Sequence, residues 1–136
     1  MPEGHFWSRL ASLVAGAHVV VDRPKGSAHP TIPSLIYPLD YGYLSGTQSG
    51  DGHGIDVWIG SLKRRAITGV ICTVDLSKRD AEVKILLGCT LAEQKRVLSI
   101  HNYRRGRQGG VLVRRSAGRA RRLKTRRSGA KGAARG

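Results

Sequence analysis

Asp51-Gly52-His53-Gly54-Ile55-Asp56-Val57-Trp58-Ile59-Gly60 is a glycine-rich turn that runs straight into an apolar strand. The glycines open tight and left-handed backbone conformations, and Val57-Trp58-Ile59 reads as a buried strand anchoring the turn. Asp51 and Asp56 stand five residues apart with His53 between them. Asp75 and Asp80 repeat that spacing around Leu-Ser-Lys-Arg, between two apolar, β-branched runs. The chain has only nine acidic residues, so four of them in two matched turns form a pattern rather than scatter. Hard cations such as Mg²⁺ take oxygen ligands, and carboxylates on strand ends can supply them. The spacing predicts Asp51, Asp56 and Asp80 within reach of one cation, with Asp75 at its rim. The alternative for a single Asp-Gly turn is an Asx turn, whose carboxylate serves only its own backbone.

Outward from that stretch the chain reads as strands with a helix near each end. Phe6, Leu10, Leu13 and Val14 fall at helical spacing and predict a helix over 3–15 that stops at Gly16. Val19-Val20-Val21 is a short strand, and residues 23–30, with two prolines and a glycine, are loop. Leu35-Ile36-Tyr37 and Tyr41 to Leu44 read as extended pieces, and 45–54 as a long surface turn. Strands follow over 56–59, 66–76 (with Gly69 a bulge) and 82–87. Thr90-Leu91-Ala92-Glu93 is a capping-box pattern opening a helix to about Ile100, and Val111-Leu112-Val113 is a last strand. This order predicts a mainly β, α+β domain or small antiparallel barrel rather than a doubly wound sheet.

The net charge of +15 is unevenly divided. Residues 1–102 carry 11 Lys/Arg and all 9 acids, whereas 103–136 carry 13 Lys/Arg and no acid. From Ser116 onward Leu123 is the only large apolar residue, so 116–136 is expected to be a disordered basic tail beside a folded unit over 1–115. Such a tail binds polyanions by counterion release, nucleic acid or polyphosphate alike, without sequence specificity. Coding bias toward Arg, Gly and Ala accounts for it equally well. No apolar run is long enough to span a membrane, and no signal peptide is read at the N-terminus. Cys72 and Cys89 read as buried thiols, which fits a reducing cytoplasm. Tyr37, Tyr41 and Tyr43 alternate toward one face, while Trp7 and Trp58 read as packing.

Three motifs in order resemble the soluble family I inorganic pyrophosphatases. They are Tyr37-Pro38-Leu39-Asp40-Tyr41-Gly42-Tyr43, the turn from Asp51 to Ile59, and the Asp75–Asp80 pair. The resemblance covers roughly 19–104 and implies an OB-like barrel with flanking helices. It also implies Mg²⁺-dependent hydrolysis of pyrophosphate by in-line attack of metal-activated water. It assigns Asp51, Asp56, Asp75 and Asp80 to Mg²⁺, with Asp22 where members often carry Glu. Tyr41 falls on a tyrosine lining the site, and Tyr103 and Arg104 on a phosphate-holding pair; Lys25 and Lys84 are further candidate substrate cations. Asp51, Asp56 and His53 are the candidate catalytic residues. His53 replaces the water-activating aspartate; the imidazole could take a proton from water or have no role at this surface turn. Pro30 and Ile32 stand where a lysine and a glutamate are expected, an arginine-bearing loop is missing, and Glu82 replaces a lysine. These departures are expected to lower activity. The alternative function is a catalytically weak OB-like domain that binds phosphate or nucleic acid through its basic tail. Homo-oligomer formation stays open.

Overall fold

Six strands form one sheet in the order β1-β2-β3-β5-β4-β6. The computed structural model describes residues 2–103 and 106–116. Its elements are α1 (Pro2–Ala15), β1 (His18–Arg23), β2 (Asp40–Ser45), β3 (Ile55–Ile59), β4 (Ile67–Asp75), β5 (Asp80–Leu87), α2 (Leu91–Ile100) and β6 (Gln108–Arg114). Every neighbouring pair is antiparallel except β3–β5, which is parallel. β1 and β6 are the outer strands, so hydrogen bonds do not close the sheet. The mainly β, α+β expectation holds, with α2 followed by one more strand that returns to β4.

Alternation along the strands sorts side chains onto two faces. One face gathers Leu44, Val57, Ile59, Ile67, Val70, Ile85 and Leu87, and α1 lays Leu10 on it with Trp7, Ala11 and Val14 alongside. Burying each such side chain stabilises the fold by roughly 2 kcal/mol. The other face gathers Trp58, Ile71 and Leu86, covered by Val97 of α2 and by Tyr37 and Leu39 from the segment before β2. Trp58 is 1% exposed, as its reading as a packing residue requires.

Local signals act where the sequence puts them. Thr90 accepts from the Glu93 amide while Glu93 accepts from the Thr90 amide, completing the capping box. The register of β4 against β5 shifts between Ile67 and Gly69, the bulge expected at that glycine. At Gly42 the β1 backbone comes so close that a Cβ would lie 1.8 Å from the Val20 carbonyl oxygen. Only glycine fits there. A second bulge, between Val21 and Arg23, leaves Asp22 out of the β1–β2 register. Cys89 is buried and Cys72 half-buried, both as free thiols. Burial pushes the Cys89 thiol up to about 12, leaving it inert. The basic-tail expectation concerns 117–136, which lie outside the described residues. Among the described residues no helix is long and apolar enough to cross a membrane.

Candidate active site

Asp80, Glu82 and Lys84 alternate along β5 and therefore share one face. The antiparallel β4 strand sets Asp75 opposite Asp80 and Thr73 opposite Glu82. On the other flank the parallel register of Val57 with Ile85 brings Asp56 of β3 beside Lys84. The Asp51 turn precedes β3. Its Oδ1 accepts from the Ser49 hydroxyl at 2.6 Å and from the His53 amide at 2.9 Å. These bonds hold the exposed carboxyl well below the usual carboxylate range. Asp75 builds the same kind of turn, accepting from the amides of Ser77 and Lys78. Each aspartate pair thus opens on an Asx turn, and in both turns a carboxylate also reaches the site.

A cavity of about 630 Å³ collects this chemistry. Asp22, Tyr41, Asp51, His53, Asp56, Asp75, Lys84 and Tyr103 all line it. Lys25 does not: it is exposed, and its backbone amide donates to Asp40. Arg104 lies outside the described residues. Carboxylate oxygens of Asp51, Asp80 and Glu82 come within 4.8 Å of one another. The expected trio included Asp56 in place of Glu82. Asp56 instead gives Oδ2 to the Lys84 ammonium at 2.7 Å, and Glu82 gives Oε1 to the same nitrogen at 2.9 Å. Lys84 is 5% exposed and also donates to the Tyr41 hydroxyl at 3.3 Å. Burial works against its charge, but Tyr41, Asp56 and Glu82 outweigh that cost and raise its pKa. Lys84 is therefore the hub of a fully engaged network rather than a free cation awaiting an anion.

Beneath the charges lies an aromatic floor. Tyr41 packs on Trp58 with ring centroids 4.6 Å apart, and Tyr37 contacts both rings. Burial raises the Tyr41 pKa despite the opposing effect of Lys84, so its hydroxyl stays protonated. The Trp58 indole N–H donates to His101 Nε2 at 3.0 Å, and His101 Nδ1 meets Gln108 Oε1 at 2.6 Å. Nε2 accepts, so Nδ1 carries the proton. Burial lowers the His101 pKa to about 4, which keeps the ring neutral.

Glu82, Arg23, His29 and Arg107 also line the cavity, and the sequence did not mark them as site residues. The β1 bulge brings Arg23 over the Tyr37 and Tyr41 rings, where its guanidinium donates to the Tyr37 hydroxyl. His29 Nδ1 accepts from the Thr31 and Ile32 amides. Burial, then the Arg23 and Lys78 charges, lower its pKa. The alternation of Asp80, Glu82 and Lys84 was the available signal for Glu82; Arg23, His29 and Arg107 had none. A larger hollow of about 880 Å³ runs beside α1, but among the described residues that line it Glu82 alone is charged. The smaller, charged cavity is the candidate site.

Comparison with solved structures gives the fold a context. The chain superposes on an inorganic pyrophosphatase from Neisseria gonorrhoeae with a TM-score of 0.57 and 20% identity, over 82% of this chain and 88% of that one. An inorganic phosphatase from Anaplasma phagocytophilum gives 0.52 and 14% identity, over 77% and 86%. An inorganic pyrophosphatase from Coxiella burnetii gives 0.50 and 15%, over 69% and 81%. No family model matches the chain, and no curated protein does. The fold is pyrophosphatase-like, and at these identities the likeness is one of fold.

Proposed function

We propose that this protein hydrolyses inorganic pyrophosphate in a Mg²⁺-dependent reaction. The observation that carries this reading is the meeting of Asp51, Asp80 and Glu82 beside the Lys84 network, with Asp51 and Glu82 lining the cavity and Asp80 next to them, outside its lining. Hard cations take carboxylate oxygens, and three such oxygens within 4.8 Å of one another could hold one ion between them. Asp51 and Asp80 have no ion pair among the described residues, which leaves negative charge for a cation to meet. A bound divalent cation supplies neutralisation of the tetra-anionic substrate and activation of water.

The chain's own groups account for the rest. Asp51, Asp80 and Glu82 would hold the ion, with Asp75 and Asp22 at the cavity wall for a second, substrate-borne ion. Lys84 fixes Asp56 and Glu82 in place, so the carboxylates meet substrate already oriented. Arg23, Lys78 and Arg107 are the cations left to take phosphate oxygens by charge-assisted hydrogen bonds, with Tyr103 beside them. They stand in for the arginine and lysine that the shortened 30–36 segment lacks. His53 and Asp56 are the side chains at the cavity suited to receive a proton from the attacking water.

Phosphate release from pyrophosphate is the test. Mg²⁺ should be required, chelation should abolish release, and Asp80→Asn should reduce it on the order of 100-fold. Release that ignores both chelator and Asp80→Asn, or no release above background, sinks the reading.

A further inference from the structure

The end of the sheet remote from the cavity is strongly basic. There β3 ends at Ile59, β4 begins at Ile67, β5 ends at Leu87 and β6 ends at Arg114. Asp75 at the cavity lies at the far end of the nine-residue β4 from Ile67, ~26 Å away at the rise of a strand. The β3–β4 loop presents Lys63, Arg64 and Arg65 in succession, all exposed. Its backbone is tied down rather than loose. The Leu62 amide donates to the Gly88 carbonyl, the Gly88 amide to Ala66, and the Ser61 amide to Glu93 Oε1. Gly88 itself sits at φ +60°, and a Cβ there would lie 2.7 Å from the Arg64 carbonyl oxygen. The loop backbone thus packs against Gly88, and the side chains of Lys63, Arg64 and Arg65 are exposed.

Arg114, the last residue of β6, and Arg115 just after it add two more cations at the same end. Arg114 pairs with Gly69, and the Arg115 amide donates to the Thr68 carbonyl at 3.0 Å. None of Lys63, Arg64, Arg65, Arg114 and Arg115 has an ion pair among the described residues. The nearby acids are already engaged. Glu93 is 9% exposed and accepts from two backbone amides, while Asp40, opposite Ile59, accepts from Lys25. In the sequence, residues 117–136 carry eight Lys/Arg and no acid; they lie outside the described residues.

We propose that this end is a docking surface for double-stranded nucleic acid, contacted through its phosphate backbone. A duplex presents closely spaced phosphates, and unpaired cations gain by releasing its condensed counterions. No aromatic side chain lies among these five cations, so base stacking, the usual grip on single strands, has no platform. The contacts carry no sequence information. The surface is independent of the hydrolysis proposed above.

The test is fluorescence anisotropy of the full chain with a short mixed-sequence DNA duplex, across salt from about 50 to about 200 mM. Wild type should bind, with affinity falling steeply as salt rises. The triple variant Lys63→Gln, Arg64→Gln, Arg65→Gln should bind at least about tenfold more weakly, with a log–log salt slope shallower by about 2 to 3. The charge-keeping variant Lys63→Arg, Arg64→Lys, Arg65→Lys should bind as wild type does, which excludes misfolding as the cause. Pyrophosphate turnover, if present, should be equal in all three. Binding unaltered by the neutral triple would place duplex contact on residues 117–136 alone and overturn the proposal. So would equal losses in both triples, or attachment to anionic vesicles without attachment to duplex.

Discussion

Lys84 and Ile85 are neighbours on β5 and face opposite environments. Ile85 is 0% exposed among Leu10, Leu44 and Val57, where contact is non-directional and contributes by area. Lys84 is almost as deeply buried, yet it is held by Asp56, Glu82 and Tyr41 through bonds with set lengths and directions. One face of the strand tolerates any well-shaped apolar residue. The other tolerates almost nothing else, because each buried charge there depends on its partner. The apolar face supplies stability and the charged face supplies geometry, from a single strand.

Substituting the two neighbours separates these roles most sharply. Lys84→Met keeps the bulk but leaves Glu82 and Asp56 unpaired; it should cost about 3 kcal/mol in urea unfolding and reduce pyrophosphate turnover on the order of 100-fold. Ile85→Ala should cost a similar ~3 kcal/mol through its cavity, with turnover per folded molecule unchanged. If Ile85→Ala lowers turnover as much as Lys84→Met does, the division between faces is wrong.

A smaller effect comes from the floor of the charged face. His101 is held neutral with its pKa lowered to about 4, whereas in the unfolded chain it lies near the ordinary ~6.5. Between those values the unfolded state binds more protons. The His101 contribution is therefore intact above about pH 6.5 and is lost as pH falls toward 4. Urea unfolding should show a loss of about 2 kcal/mol between pH 7 and pH 5 from this residue. His101→Gln, which can still accept from Trp58, should remove that part of the slope. An unchanged slope would mean that other groups carry the acid sensitivity.

The smallest expected effect is at the rim. His53→Asp adds a carboxylate beside Asp51 at an exposed turn, where bulk matters little. The Mg²⁺ concentration for half-maximal turnover should fall about threefold to tenfold, with stability within about 0.5 kcal/mol of wild type. Equal Mg²⁺ dependence for histidine, aspartate and alanine would show that this position neither binds the ion nor tunes it.

Features governed by neighbours along the chain are legible in the sequence alone. The Thr90–Glu93 capping box, the Gly69 bulge, the end of α1 at Gly16 and the placement of strands on either side of Asp51 and Asp75 all follow from residues within a few positions of one another. Matched spacing also marks the Asp51 and Asp80 turns as one place. Parity along β5 even carries the information that Asp80, Glu82 and Lys84 share a face, though not which face or what meets it.

Partner choice is decided by register between distant strands. Asp56 meets Lys84 because β3 lies parallel to β5 with Val57 opposite Ile85; a slip of one residue would turn it to the apolar side. That pairing leaves Glu82 to join Asp51 and Asp80. His101 is a lone histidine in the sequence and becomes a buried acceptor only when α2 brings it to Trp58, 43 residues earlier. Arg23 is turned into the cavity by a bulge that no local residue pattern announces. Local chemistry determines which elements form and where they stop, since its terms act within a turn or a strand. The composition of the site depends on contacts across the sheet, and those exist only once the strands have paired.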